Sequence, residues 1–255
     1  MEAALEAAEQ AGAIAHAYFG RRLAIEAKAD GSPVTEADRA AEQAARAWIE
    51  ARFPNDGITG EEFGDTRPDA PRRWLIDPID GTKSFVRGVP LWGSMVAVVE
   101  GDRVLAGAIR FPALRERIAA APGQGCWWNG ARCAVSPVED LARATVLISD
   151  EHFDAPSERR EGWRNLTRAA GLVRTWGDCY GYLLVATGRV EAIVDPVLFP
   201  WDAAPLIPII EEAGGVFSDW EGRRSFTTGS AIATNVALAD EARRLLGCPA
   251  VAARG

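Results

Sequence analysis

Residues 74–85, WLIDPIDGTKSF, constrain this chain more than any other stretch of it. The apolar start suits a buried strand, which would deliver Asp77 at its end. Asp80 follows three residues on, with Pro78 stiffening the turn between them. Two carboxylates this close repel each other unless one is protonated or a cation bridges them. Hard cations such as Mg2+ take oxygen ligands and keep waters for a substrate, and the carbonyl of Ile79 offers a third oxygen between the acids. Gly81 lets backbone approach an anion, and Thr82 brings a hydroxyl and an N–H. A short helix starting at TKSF would aim its N-terminus at a phosphate. Taken alone, the same residues also read as a proline turn with solvated acids.

The flanking chain predicts two different halves. Residues 1 to about 24 are alanine-rich and read as a helix. After the loop-like KADGSPVT, Thr35 is placed to N-cap a second helix to about Arg52, with Asp38 three residues on as in a capping box. LWGSMVAVV and VLAGAIRF, split by Gly101-Asp102, read as a hairpin, and CWWNG with ARCAV as another pair of short strands. From about residue 144 strands alternate with helices: TVLIS, a helix over 157–170, LVRTW, a helix through YLLVATG, VEAIVD, a helix from Asp202 to Ala213 stopped by Gly214-Gly215, VFSDW, SAIATN, and a last helix near 236–247. The expectation is one α/β (α+β) unit over 1–255, with layered halves of about 1–143 and 144–255.

Charge narrows the function. The formal net charge is −8 and the basic residues are scattered in pairs such as Arg72-Arg73, Arg159-Arg160 and Arg223-Arg224, which argues against a nucleic-acid binder. An acidic protein that handles an anionic phosphate needs positive charge from elsewhere, and bound metal is the obvious source. No apolar run is long enough for a bilayer, and MEAALEAAEQ lacks the basic start of a signal peptide, so a cytoplasmic location is expected. Cys126, Cys133, Cys179 and Cys248 show neither disulfide nor zinc spacing and are read as free thiols. His16 and His152 are the only histidines, one in the first helix and one in a loop, and both are read as non-catalytic.

Further acids punctuate the sequence. GEEFG at 60–64 places Glu61 and Glu62 between glycines, Trp201-Asp202 opens a helix that ends in EEAGG, and Asp38 follows Thr35. Singly, these are a solvated loop, an N-cap and a capping residue. Their joint order and wording are not so easily explained.

GEE, then WLIDPIDGT, then WDAA with EEAGG resembles the pattern of the inositol monophosphatase superfamily, from Thr35-x-x-Asp38 to Gly215 and beyond. GTKSFVRGVPLWG (81–93) and RTWGDCYGYLLVATGR (174–189) are most similar to its histidinol-phosphate phosphatase branch. The resemblance implies a layered αβαβα sandwich, usually homodimeric, and a phosphomonoesterase with two or three Mg2+ per site. It implies that Glu61, Asp77 and the Ile79 carbonyl hold one ion, and that Asp77, Asp80 and Asp202 hold a second. Glu61 and Thr82, with Asp38 near a weaker third ion, would orient the attacking water. Gly81 and Thr82 would bind phosphate, and no phosphoenzyme is expected. The covalent aspartate motif D-x-D-G-T is missed by one residue. Pro205, in the first turn of the WDAA helix, and Phe199-Pro200 depart from the family pattern.

The resemblance also implies that Asp178 and Asp195 stand at the positions that face the organic end of the substrate, where acids would favour the ammonium and imidazole of histidinol phosphate. The bland alternative is that Asp178 caps a helix and Asp195 ends a strand. Arg87 and Trp92 are candidates for the entrance. The competing functions are an inositol or other sugar phosphatase, a nucleotide 3′-phosphatase, and a non-catalytic regulatory protein that binds RNA or RNA polymerase. The expected partner is a small phosphate ester, with no nucleic acid and no membrane.

Overall fold

A computed structural model describes residues 1–28, 31, 33–151 and 157–252, so His152 lies outside the described residues. Helix α1 (Glu2–Tyr18) buries Ala4, Ala7, Ala8, Ala11 and Ala15, a stripe at helical spacing. It ends six residues earlier than the sequence predicts: Phe19 leaves helical geometry and Gly20 has φ +77°. Strands β1 (Glu26–Ala27) and β2 (Pro33–Val34) pair with each other. Helix α2 (Glu36–Arg52) starts with the predicted Thr35–Asp38 capping box.

Then come β3 (Gly57–Gly60), β4 (Gly64–Thr66), β5 (Arg72–Asp80), the one-turn helix α3 (Thr82–Phe85), β6 (Gly93–Glu100), β7 (Arg103–Phe111), β8 (Glu116–Ala121), β9 (Gly125–Trp128) and β10 (Ala131–Arg132). They form one sheet of order β10-β9-β8-β7-β6-β5-β3-β4, antiparallel except for the parallel β3–β5 pair. The second half contributes β11 (Thr145–Leu147), α4 (Ser157–Ala169), β12 (Leu172–Arg174), α5 (Asp178–Ala186), β13 (Ala192–Asp195), α6 (Pro200–Glu212), β14 (Val216–Ser218), β15 (Ala231–Thr234) and α7 (Ala239–Leu246). Its sheet has the order β12-β11-β13-β15-β14.

Alternation along β6 shows how the layers stack. Val96 and Val98 join the core under α1 and α2, whereas Met95, Ala97 and Val99 join the core shared with α5 and α6. Both faces are covered, so the strand reads as a continuous apolar run. The central core continues through Leu183, Leu206 and Ile210 to Ile193, Phe217 and Ala233 of the second sheet. Beyond that sheet, Val146, Val194 and Ile232 pack on Trp163 and Leu166 of α4 and Ala242 and Leu246 of α7. The layers are therefore α1/α2, large sheet, α5/α6, small sheet, α4/α7, the expected αβαβα order. Close approach at one point depends on a missing side chain, because a β-carbon at Gly107 of β7 would collide with the backbone of Pro205 in α6.

Candidate active site

The carboxylates are gathered by a fault in the sheet. Strand β5 runs through Asp77 to Asp80 rather than ending at Asp77, and its partners on β6 are Met95 and Gly93. Two residues of β5, Pro78 and Ile79, thus oppose the single Ser94 of β6, a β-bulge. In a regular strand, residues three apart face opposite sides. The extra residue returns Asp80 to the side of Asp77. The bulge is tied down locally: the N–H of Ile79 donates to Oδ1 of Asp77 at 2.9 Å, and Ser94 Oγ donates to the carbonyl of Pro78 at 2.6 Å.

Asp202 arrives from the central helix layer. Helix α6 begins at Pro200, two residues before the expected start, so Asp202 is an N3 residue and not the N-cap. Its Oδ2 accepts from the N–H of Phe199 at 2.9 Å. Pro205 correspondingly falls beyond the first turn, a correction to the sequence reading. Carboxylate oxygens of Asp77, Asp80 and Asp202 all lie within 4.8 Å of one another.

These acids are held in conditions that disfavour charge. Burial, then the charges of Glu61, Asp80 and Asp202, drive Asp77 well above the ordinary carboxylate range. Burial and the Asp202 charge push Asp80 up to about 7. Burial, with the Glu61 charge adding to it, pushes Asp202 up to about 7. Backbone N–H groups of Ile79, Cys179 and Phe199 donate to the three. A cluster of hard oxygen donors, mutually repelling and buried, fits a divalent cation of the Mg2+ or Ca2+ kind far better than a soft thiolate-seeking metal.

Glu61 sits in the turn between β3 and β4, where its N–H continues the parallel ladder to the carbonyl of Ile76 at 3.2 Å. Lys28, read from sequence only as part of a loop, donates to Glu61 Oε1 at 2.6 Å and Glu62 Oε1 at 2.5 Å. Burial opposes the Lys28 charge, but those two bonds outweigh it and hold the amine protonated. Burial pushes Glu62 up to about 7 despite Lys28.

Asp38 does two things at once. Its Oδ2 closes the capping box, accepting from the Thr35 N–H at 2.8 Å and hydroxyl at 2.7 Å, while its Oδ1 is 3.4 Å from Thr82 Oγ1. Thr82 Oγ1 also reaches the Ile79 carbonyl at 2.9 Å. Burial is the first cause that raises Asp38 above its ordinary value. Gly81 caps α3 in the left-handed region, at φ +87°. A side chain there would be strained whatever its size.

Asp178 and Asp195 line a cavity of about 140 Å³ with Asp80, Ser149, Tyr182, Phe199 and Asp202. Asp178 opens α5 at φ +52°, its N–H donating to Ser149 Oγ at 2.7 Å. A β-carbon on Gly81 would come within 3.2 Å of Asp178 Oδ2, which places that carboxylate beside the DGT turn. Burial, then Asp80 and Asp195, raise Asp178 well above the ordinary range. Asp195 ends β13 and has both oxygens engaged, by the Ser149 N–H at 3.0 Å and the Tyr182 hydroxyl at 2.9 Å. Trp92 is not at an entrance: it is fully buried against Phe19 and Phe85. Arg87 is exposed and donates to the Lys83 carbonyl.

The arrangement matches a known family over its whole span. The sequence profile of the "Inositol monophosphatase family" matches residues 1–249. This chain belongs to that family. It is 48% identical to the "Histidinol-phosphatase" of Chlorobaculum parvum, across 91% of this chain and 90% of that protein. It is 40% identical to the "Histidinol-phosphatase" of Mycobacterium tuberculosis, across 93% of this chain and 94% of that one. Among solved structures, an inositol monophosphatase from Zymomonas mobilis superimposes with a TM-score of 0.86 at 34% identity, covering 96% of each chain. The family is metal-dependent, in keeping with the Asp77–Asp80–Asp202 cluster. Among the described residues, no helix is long and apolar enough to cross a membrane.

Proposed function

We propose that this member of the inositol monophosphatase family is a Mg2+-dependent phosphomonoesterase that hydrolyses L-histidinol phosphate to L-histidinol and phosphate. The observation that carries the metal chemistry is the convergence of Asp77, Asp80 and Asp202 beside Glu61. In this reading Glu61, Asp77, the Ile79 carbonyl, Asp80 and Asp202 hold two or three Mg2+. Metal held there would supply the charge to acidify a water and to neutralise phosphoryl oxygens. Thr82, backed by Asp38, accepts a hydrogen bond from that water while keeping its own donor for a carboxylate or carbonyl, which aims the attack in line. The N–H groups after Gly81 receive phosphate oxygens, an approach only a residue without a β-carbon allows at φ +87°.

Substrate choice rests on the names of the two relatives above and on Asp178 at the cavity. An ammonium or imidazolium docked there would meet an acid whose ionised form the cation itself favours. Asp195 supports it at one remove, by holding Tyr182 and Ser149 in place. A second reading, inositol 1-phosphate, is favoured by the Zymomonas mobilis structure. The expected working form is a homodimer in the cytoplasm, checked by light scattering and by cell fractionation.

The test is phosphate release with Mg2+ from histidinol phosphate, inositol 1-phosphate, fructose 1,6-bisphosphate and adenosine 3′,5′-bisphosphate, beside an Asp80→Asn control. A kcat/KM preference for histidinol phosphate of about a hundredfold, near 2.7 kcal/mol, supports the reading. A preference for inositol 1-phosphate moves the substrate to the second reading. No hydrolysis at all overturns the enzyme.

A further inference from the structure

Glu61 is the one proposed ligand that comes from a turn and not from a strand or helix, yet it must hold its carboxylate at a fixed point. The turn has an unusual foundation. Glu42, on α2, is completely buried. Its Oε2 accepts from the backbone N–H of Glu62 at 2.7 Å, and its Oε1 from the N–H of Phe63 at 3.3 Å. Arg46, one helical turn on, donates through Nε to Oε1 of the same carboxylate at 2.7 Å. The guanidinium then reaches over to β4, donating to Thr66 Oγ1 at 3.0 Å and to the carbonyl of Gly64.

The three successive N–H groups of the turn are thus all taken: that of Glu61 by the sheet, and those of Glu62 and Phe63 by Glu42. Gly60 belongs to the same device, since a β-carbon there would run into the Glu42 carboxylate. A buried carboxylate is costly unless it is paired and hydrogen-bonded, and here every interaction that offsets the cost is with the β3–β4 turn or with the arginine that clamps it.

Building on the proposed function, we infer that Glu42 and Arg46 are positioning residues that set the reach of Glu61 to the metal. Neither touches substrate or ion. Groups bonded directly to a ligand change metal affinity by about 10–100-fold when removed, and Glu42 acts one residue further off, through the backbone next to Glu61. Glu42→Gln keeps the volume but presents an amide to donors that need an acceptor.

The test measures Mn2+ binding by electron paramagnetic resonance without substrate, and then the Mg2+ dependence of turnover. Asp56→Asn is the comparison. Asp56 is another buried acid, bound by Arg72 and Trp74, but it lies at the start of β3 and not at the Glu61 turn. Glu42→Gln should raise the Mn2+ dissociation constant and the Mg2+ half-saturation by about tenfold or more, with KM at saturating Mg2+ nearly unchanged. Asp56→Asn should lower the melting temperature and leave metal dependence alone. A Glu42→Gln protein that melts earlier but binds metal like wild type overturns the inference. If that variant does not fold, Arg46→Lys decides: a shift of at least about threefold in the same direction supports the anchoring, and no shift overturns it. Wild-type protein that fails to bind Mn2+ refutes the metal reading, and the inference with it; binding by wild type and variant alike refutes the anchoring alone.

Discussion

The backbone N–H of Cys179, in the first turn of α5, donates to Oδ2 of Asp80 at the end of β5, across a sequence separation of 99 residues. It joins the helix layer between the sheets to the carboxylate cluster of the large sheet. The Phe199 N–H, at the N-cap of α6, fixes Asp202 within its own helix. Asp80 and Asp202 are therefore aimed by main-chain donors that cannot move without moving a helix, which suits a site that must keep several like charges together.

Removing one of those charges should separate catalysis from stability. Asp80→Asn is expected to lower kcat/KM by about a thousandfold, near 4 kcal/mol. Its melting temperature in EDTA should equal or exceed that of wild type, because a buried, repelling acid is gone. Calorimetric melts with and without Mg2+, beside the phosphate-release assay, check both halves. A marked loss of metal-free stability would contradict the electrostatic account.

The pH dependence follows from the same groups. Asp80 and Asp202 titrate near 7 in the folded protein, above the unfolded value of about 3.9. The folded state then binds protons more tightly than the unfolded one. That stabilisation is full below about 3.9 and is lost as pH rises through about 7. In EDTA, the melting temperature should fall between pH 6 and pH 8. Saturating Mg2+ should abolish or reverse the fall, since cation binds the ionised form. Each kcal/mol is worth about 2–4 °C in a chain of this size. Identical slopes with and without Mg2+ would contradict the assignment of these acids to the metal.

The layered fold and the carboxylate set were legible in the sequence for a chemical reason. Asp77, Asp80 and Asp202 stand beside proline, glycine and apolar runs that force turns and helix starts, so their placement is local. Strands β3 and β8 were not legible: GITG is short and glycine-bounded, and ERIAAA has the composition of a helix but pairs with β7 and β9. Lys28 was lost because a single lysine in a polar loop carries no periodicity. Glu42 did leave a signal. It shares the buried face of α2 with Asp38, Ala41, Ala45 and Ile49, where an acid is out of place unless something pairs with it. Arg46, four residues on, is a partner that helical spacing can show, but the N–H groups of Glu62 and Phe63 that complete the site lie about twenty positions downstream, which no local pattern shows.

Thr82 offers a narrower test. Its hydroxyl stands between the Asp38 carboxylate at 3.4 Å and the Ile79 carbonyl at 2.9 Å. Thr82→Ala should lower kcat by about a hundredfold or more while Mn2+ binding stays close to wild type, as expected for a group that orients the attacking water. Thr82→Ser keeps the hydroxyl and should recover most of the rate. Parallel loss of rate and metal affinity in the alanine variant would show that Thr82 supports the ions rather than the water.

Asp178 is where substrate identity can be challenged. Its carboxylate lies beside Gly81, at the edge of the cavity lined by Asp80, Tyr182 and Phe199, and burial, then the nearby acids Asp80 and Asp195, resist its ionisation. A cationic ligand relieves that repulsion and gains a charge-assisted hydrogen bond, worth about 1.5–3 kcal/mol. Asp178→Asn should therefore raise KM for histidinol phosphate by about tenfold or more, with a smaller effect on kcat. Inositol 1-phosphate has no cation at its organic end, and its KM should stay constant or fall as a negative charge leaves the site. Steady-state kinetics on both esters at saturating Mg2+ measure the contrast. Equal changes for the two would mean that Asp178 shapes the DGT turn through Gly81 and does not read the substrate's charge.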